Sequence, residues 1–109
     1  VAWGNDGRWG DKLCTSYFVG GDLVRAVGFL MAPGFGHLYT DRVWWEIADM
    51  AGLKRYHGEV AATHHNVHDR TYRERRKEGD AEEFVRVVEK GVLRGWAERA
   101  MAIGARAAA

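Results

Sequence analysis

The sequence predicts a small mixed α/β unit, rich in helix and poor in strands. Three observations lead there. Apolar residues at helical spacing run from Val43 to Ala51 and stop at a glycine. A second stripe, Phe84, Val88, Val92 and Trp96, repeats every four residues near the end of the chain. Residues that favour extended backbone are confined to short stretches near 1–3, 13–19 and 53–63. With 109 residues, 47% of them apolar and 28% charged, the chain is expected to be one domain, or a fragment of one, over 1–109 with a modest core.

Each element has its own local signal. Val1-Ala2-Trp3 reads as the end of a strand, and Gly4-Asn5-Asp6-Gly7 and Gly10-Asp11 punctuate the next stretch as turns. Leu13–Val19 is a second extended candidate. Asp22–Val27 reads as a short helix closed by Gly28. Phe29–Tyr39 is an apolar, glycine-rich loop. Thr40 is placed as an N-cap, with Asp41 in the first turn, where a carboxylate suits the helix dipole. The helix over 41–51 then ends at Gly52, which supplies the left-handed stop. Leu53–Thr63 reads as a strand or hairpin with a bend at Gly58. Asp80 is placed as the N-cap of a long final helix that Gly91 and Gly95 interrupt.

Composition narrows the function. Sixteen Lys and Arg against 15 Asp and Glu give a formal charge of +1, so nothing in the charge points to nucleic acid. The single cysteine, Cys14, excludes an internal disulfide framework and a zinc site built from cysteines. No apolar run approaches the roughly 20 residues that span a bilayer, and no signal peptide is visible. The expected setting is therefore cytoplasmic and reducing.

Four features bear on chemistry. His64, His65 and His68 fall within five residues; on a helix His64 and His68 would share a face at a chelating spacing, whereas on an extended segment they would not converge. The competing reading is a polar loop. Asp41 is either a helix-start residue or a general base held behind the glycine loop. Gly20-Gly21 and Gly34-Phe35-Gly36 permit close backbone approach, but no GxxxxGK[ST] or strand-to-helix GxGxxG is present. The run from Asp69 to Glu78 balances Arg and Lys against acids as a solvated face does, and of the adjacent Trp44 and Trp45 only one is expected in the core.

The order and spacing of these parts resemble a known family. Tyr17-Phe18-Val19-Gly20-Gly21 is followed by Leu23-Val24-Arg25-Ala26-Val27-Gly28-Phe29, then Gly34-Phe35 and Thr40-Asp41. Gly52 comes eleven residues after Asp41, then Tyr56 and Thr63-His64-His65. This stretch resembles the C-terminal half of inverting GT-A glycosyltransferases. Through His37-Leu38-Tyr39-Thr40-Asp41, and through His65 with Asp69 and Thr71-Tyr72, it is also similar to glycosyltransferase-like proteins of phages and actinobacteria. The likeness covers about residues 15–72.

The resemblance implies a small α/β unit from the acceptor side of that fold. It implies transfer of a sugar from a nucleotide-diphospho-sugar donor to an acceptor hydroxyl, with Asp41 as catalytic base. Gly28 and Gly34 fall near donor and acceptor, and His64 or His65 helps hold Mn2+ or Mg2+ against the departing diphosphate. Two departures stand beside it. The family's acidic pair is Thr40-Asp41 here, and the nucleotide-binding half with its Asp-x-Asp is absent, since Asp6 and Asp11 do not form that motif. The chain is thus expected to be the second half of such an enzyme and, alone, to bind donor poorly. The alternative is a non-enzymatic binding or structural module, such as a virion or assembly component, built on the same fold.

Overall fold

A computed structural model of the chain describes residues 1–36, 38–61 and 79–108. They form a mixed α/β domain with two strands and four α-helices. Strand β1 (Ala2–Asn5) pairs in parallel with β2 (Arg55–Ala61). Helices α1 (Gly21–Val27) and α2 (Thr40–Ala51) lie between them in sequence, and α3 (Asp80–Glu89) and α4 (Val92–Ala108) come after. The expected small α/β unit is present at this level. The bounds of α1 and α2 fall within one residue of those the glycine stops predict.

The sheet's register is irregular for an identifiable reason. Ala2, Trp3 and Gly4 face Arg55, Tyr56 and His57 in step, but Asn5 pairs with Ala61. The extra residues bulge out of β2 and bring the Val60 carbonyl against Gly4, where a β-carbon would lie only 2.5 Å from its oxygen. Gly4 is therefore required by close approach. Of the strand or hairpin expected over 53–63, the described part is a single bulged strand, and residues 62 and 63 lie outside the described residues. All seven residues of β2 are exposed.

Leu13–Val19 does not form a strand. Only Phe18 bridges β1, through reciprocal backbone hydrogen bonds with Ala2 of 2.9 and 2.8 Å. Ser16 adopts a left-handed conformation (φ 49°) that turns the chain, and the Thr15 hydroxyl donates to the Asp6 carboxylate at 2.7 Å. Propensity for extended backbone loses here to turn chemistry.

The core lies where α2 meets α4. Val43, Trp44, Ile47 and Ala48 of α2 are buried, as are Leu93, Trp96, Ala97 and Ala100 of α4, and α1 adds Leu23 and Val27. Phe29 stands edge-on to Trp96, with ring centroids 4.7 Å apart, and contacts Trp44 at 5.7 Å. Of the tryptophan pair, Trp44 goes fully inside and its indole N–H donates to the Leu30 carbonyl at 2.7 Å. Trp45 is half-buried, beneath the Lys54 ammonium at 4.2 Å and the Arg42 guanidinium at 5.7 Å.

Three sequence expectations are corrected. The long final helix is two helices, because Gly91 is left-handed (φ 71°) and ends the first. The break shifts the buried face: Val87 and Leu93 are buried and Val88 is 47% exposed, while Phe84, Val92 and Trp96 of the four-residue stripe do pack in the core. Thr40 is not the N-cap of α2. Tyr39 occupies that place in a left-handed conformation (φ 68°), and the Thr40 side chain is hydrogen-bonded to the Tyr17 hydroxyl. Asp80 likewise comes just after the cap position, which Gly79 holds (φ 79°).

The stop at Gly52 is as expected. Its φ is 70°, its N–H reaches the Asp49 carbonyl, and the Leu53 N–H reaches the Ala48 carbonyl at 2.9 Å, the double bond pattern of a Schellman end. A β-branched residue there must adopt a conformation that costs ~1–2 kcal/mol for any L-residue and more for valine. Gly52→Val is expected to lower stability by about 1 kcal/mol or more; a chemical-denaturation midpoint equal to that of the parent would refute this assignment of the helix end.

Candidate functional site

Asp41 is the predicted base, and its surroundings define the candidate site. It sits in the first turn of α2, partly buried, with its carboxylate Oδ1 accepting the Arg42 backbone N–H at 2.7 Å. Four residues on two segments distant in sequence meet there. The Cys14 thiol donates to the Asp41 backbone carbonyl at 3.2 Å, and Tyr17 bonds to Thr40. The two segments are 13–17 and 39–41, and each contains a left-handed non-glycine residue, Ser16 and Tyr39. No other described non-glycine residue has positive φ. Such residues persist only where the surroundings over-determine them, and they concentrate at functional sites.

The electrostatics assign protons within the cluster. Burial, and after it the Asp41 charge, pushes the Cys14 thiol up to about 12. Burial also raises the Tyr17 phenol; the Thr40 hydrogen bond opposes that, and the charges at Cys14 and Asp41 add to it. Both groups therefore carry their protons at neutral pH.

The other predicted residues have different surroundings. Gly28 is left-handed (φ 100°) and closes α1, its N–H donating to the Val24 carbonyl at 2.8 Å. Gly34 (φ 92°) lies against the Glu83 carboxylate of α3, which occupies the space a β-carbon would need. Each of these glycines thus has a backbone reason for being glycine. His64 and His65, and with them His68 and the 69–78 charge run, lie outside the described residues. Among the described residues no group of three or more His, Cys, Asp or Glu side chains is placed to hold a metal ion.

Sequence reasoning missed two acids with defined structural work. Asp6, directly after β1, accepts the backbone N–H groups of Arg8, Trp9 and Gly10 and the Thr15 hydroxyl. Burial pushes its carboxyl up, but these hydrogen bonds together outweigh it and hold the carboxyl at about 2. The Asn5-Asp6-Gly7 turn signal located the loop but not its fourth partner, Thr15. Asp80, 3% exposed, is the buried charged residue of the described chain; its carboxylate accepts the N–H groups of Gly36 and Leu38 at 2.8 and 2.5 Å. No local signal connects positions more than forty residues apart.

The chain matches no protein-family model, and comparison with curated proteins and with solved structures gives no match. Among the described residues no helix is long and apolar enough to cross a membrane.

The titrating groups can be tested directly. Asp6 is held below its usual value of 3.8, so its contribution is complete above that value and disappears as pH falls through about 2. Asp6→Ala should cost about 2 kcal/mol near neutrality, the scale of hydrogen bonds to a charged group. Urea midpoints of parent and variant should converge as the solution is acidified through that window, and a constant difference would contradict the assignment. The Cys14 thiol, buried and proton-bearing, should resist alkylation at mildly alkaline pH until the protein is unfolded. Rapid labelling of the native protein would contradict its placement.

Proposed function

We propose that the chain is the base-bearing, acceptor-side part of a metal-dependent glycosyltransferase. A carboxylate of Asp41 accepts the proton of an acceptor hydroxyl as that oxygen bonds to the anomeric carbon of the donor sugar. The bond from that carbon to the nucleotide diphosphate breaks, the diphosphate departs with the electron pair, and the anomeric configuration inverts. A divalent cation, Mn2+ or Mg2+, would supply charge neutralisation of the diphosphate, and His64 or His65 is proposed to help hold it. The reading carries with it a nucleotide-sugar donor, a separate nucleotide-binding part and a cytoplasmic setting.

One observation supports this reading above the others: Asp41 stands at a helix start where both of the described chain's left-handed non-glycine segments converge. A helix cap alone has no need of that strain, since Thr40 is available and is turned to Tyr17 instead. The sequence order from Tyr17 to His65 agrees with it.

The alternative, a non-enzymatic binding module, is favoured by one feature. β2 is exposed along its length, and among the described residues only β1 pairs with it, leaving a strand edge open for a partner.

Asp41→Asn separates the readings. Asparagine keeps an oxygen for the Arg42 N–H, so the melting temperature should change little. With manganese and a panel of nucleotide sugars, in the protein that carries the donor-binding part, sugar transfer should fall ~10²–10⁴-fold. Undiminished transfer would reduce Asp41 to a helix-start residue. A parent protein that turns over no donor in the panel would favour the binding module.

A further inference from the structure

We propose that Asp80 is the positioning residue of the Asp41 site: its buried carboxylate fixes residues 34–36 and 38–42 and thereby the place of the Asp41 carboxylate. The proposed catalytic role of Asp41 is the reading on which its functional half rests. The structural half stands on five contacts from the first turns of α3. The Asp80 carboxylate takes the N–H groups of both Gly36 and Leu38. Three residues later the Glu83 carboxylate lies against Gly34. The next residue, Phe84, packs its ring on Tyr39 with centroids 5.4 Å apart, and the Arg42 guanidinium lies 6.0 Å from the same ring.

The segment needs such a hold. Tyr39 is left-handed without being glycine, and its carbonyl accepts the Val43 N–H that begins the hydrogen bonding of α2. If Tyr39 relaxes to ordinary backbone, the first turn of α2 rotates and the Asp41 carboxylate moves with it. A buried charge is costly unless fully hydrogen-bonded, so two charge-assisted bonds to a loop more than forty residues away amount to more than an ordinary helix-start acid. Its place at the head of α3 also sets the negative charge at the positive end of that helix.

The test compares Asp80→Asn and Asp80→Ala with Val87→Ala, which empties core volume on the same helix and leaves the Asp80 carboxylate in place. Amide hydrogen exchange reads the segment directly. The Arg42 N–H reports the Asp41 carboxylate, and the Val43 N–H reports the start of α2. In Asp80→Ala the Gly36, Leu38, Arg42 and Val43 amides should exchange at least about tenfold faster while amides within α4 keep parental protection. Asp80→Asn, which retains one acceptor oxygen, should fall between parent and Asp80→Ala. In the transfer assay kcat should drop toward ~10²-fold with KM nearly unchanged, as expected when a reacting group is displaced by about an ångström.

An exchange pattern in Asp80→Ala that matches Val87→Ala would overturn the proposal, because Asp80 would then support only global stability. So would parental kcat in an Asp80→Ala protein whose Arg42 amide has lost protection. If the parent protein transfers no sugar, the catalytic reading of Asp41 fails, and exchange at Arg42 and Val43 alone decides whether Asp80 fixes the segment.

Discussion

The burial of Trp44 is the constraint around which the domain is organised. Taking a tryptophan side chain out of water stabilises by about 4–6 kcal/mol, as an upper estimate from its 150–250 Å² of surface. The indole N–H must then find an acceptor, and the Leu30 carbonyl is the one it takes. That single bond ties the loop after α1 to the centre of α2. It also sets Phe29 beside Trp44, where its ring fills the corner against Trp96 of α4. The loop leading to Asp41 is therefore pinned near its start by Trp44 and near its end by Asp80.

The sheet is subordinate to this helical core. Two strands are too few to stand alone, and parallel pairs are normally covered on both faces. Here β1 is held by its other attachments. Trp3 is buried, its indole N–H donates to the Gly10 carbonyl at 2.9 Å, and its ring lies 5.6 Å from that of Tyr56 across the strand pair. The Asp6 loop then fastens the end of β1 to Thr15, and the Phe18 bridge returns the chain to Ala2. β2, with no described element on its outer side, remains open to solvent. The same arrangement holds Cys14 and Tyr17 against the head of α2, so the small sheet serves the site by delivering one of its two walls.

The features legible in the sequence were those that local chemistry determines. Gly28 and Gly52 marked helix ends because a left-handed residue is needed just past the last turn. The apolar spacing of Val43, Trp44 and Ile47 marked the buried face of α2. The errors arose where a distant partner overrides a local preference. Thr40 has the chemistry of a cap, yet Tyr17 claims its side chain. Asp80 has it too, yet its carboxylate serves Gly36 and Leu38. The stripe from Phe84 to Trp96 looked continuous because periodicity ignores the turn that a left-handed Gly91 introduces. Of the candidate site, Asp41 and the position of its helix could be read from the sequence. The Cys14 and Tyr17 wall could not, since nothing in residues 13–17 signals that they meet residue 41.

That wall bears on which group could act as a base. Cys14 invites a nucleophilic reading, but a reactive thiol needs an electropositive, accessible setting. Its setting is the opposite: it is fully buried, it donates its proton to a carbonyl, and its neighbour's negative charge opposes ionisation, so the thiol stays protonated up to about 12. Tyr17, shifted upward by burial, is likewise proton-bearing and engaged with Thr40. Neither accepts a proton at neutral pH. The thiol also reaches Asp41 through the backbone carbonyl rather than the carboxylate. The one carboxylate of the cluster, that of Asp41, is presented from a helix start that the left-handed Tyr39 and the packed α3 hold in place. A thiol or phenol with a lowered pKa at this point would have argued for covalent catalysis. Two neighbours held neutral remove that argument, and the role proposed for the Asp41 carboxylate meets no competing nucleophile beside it.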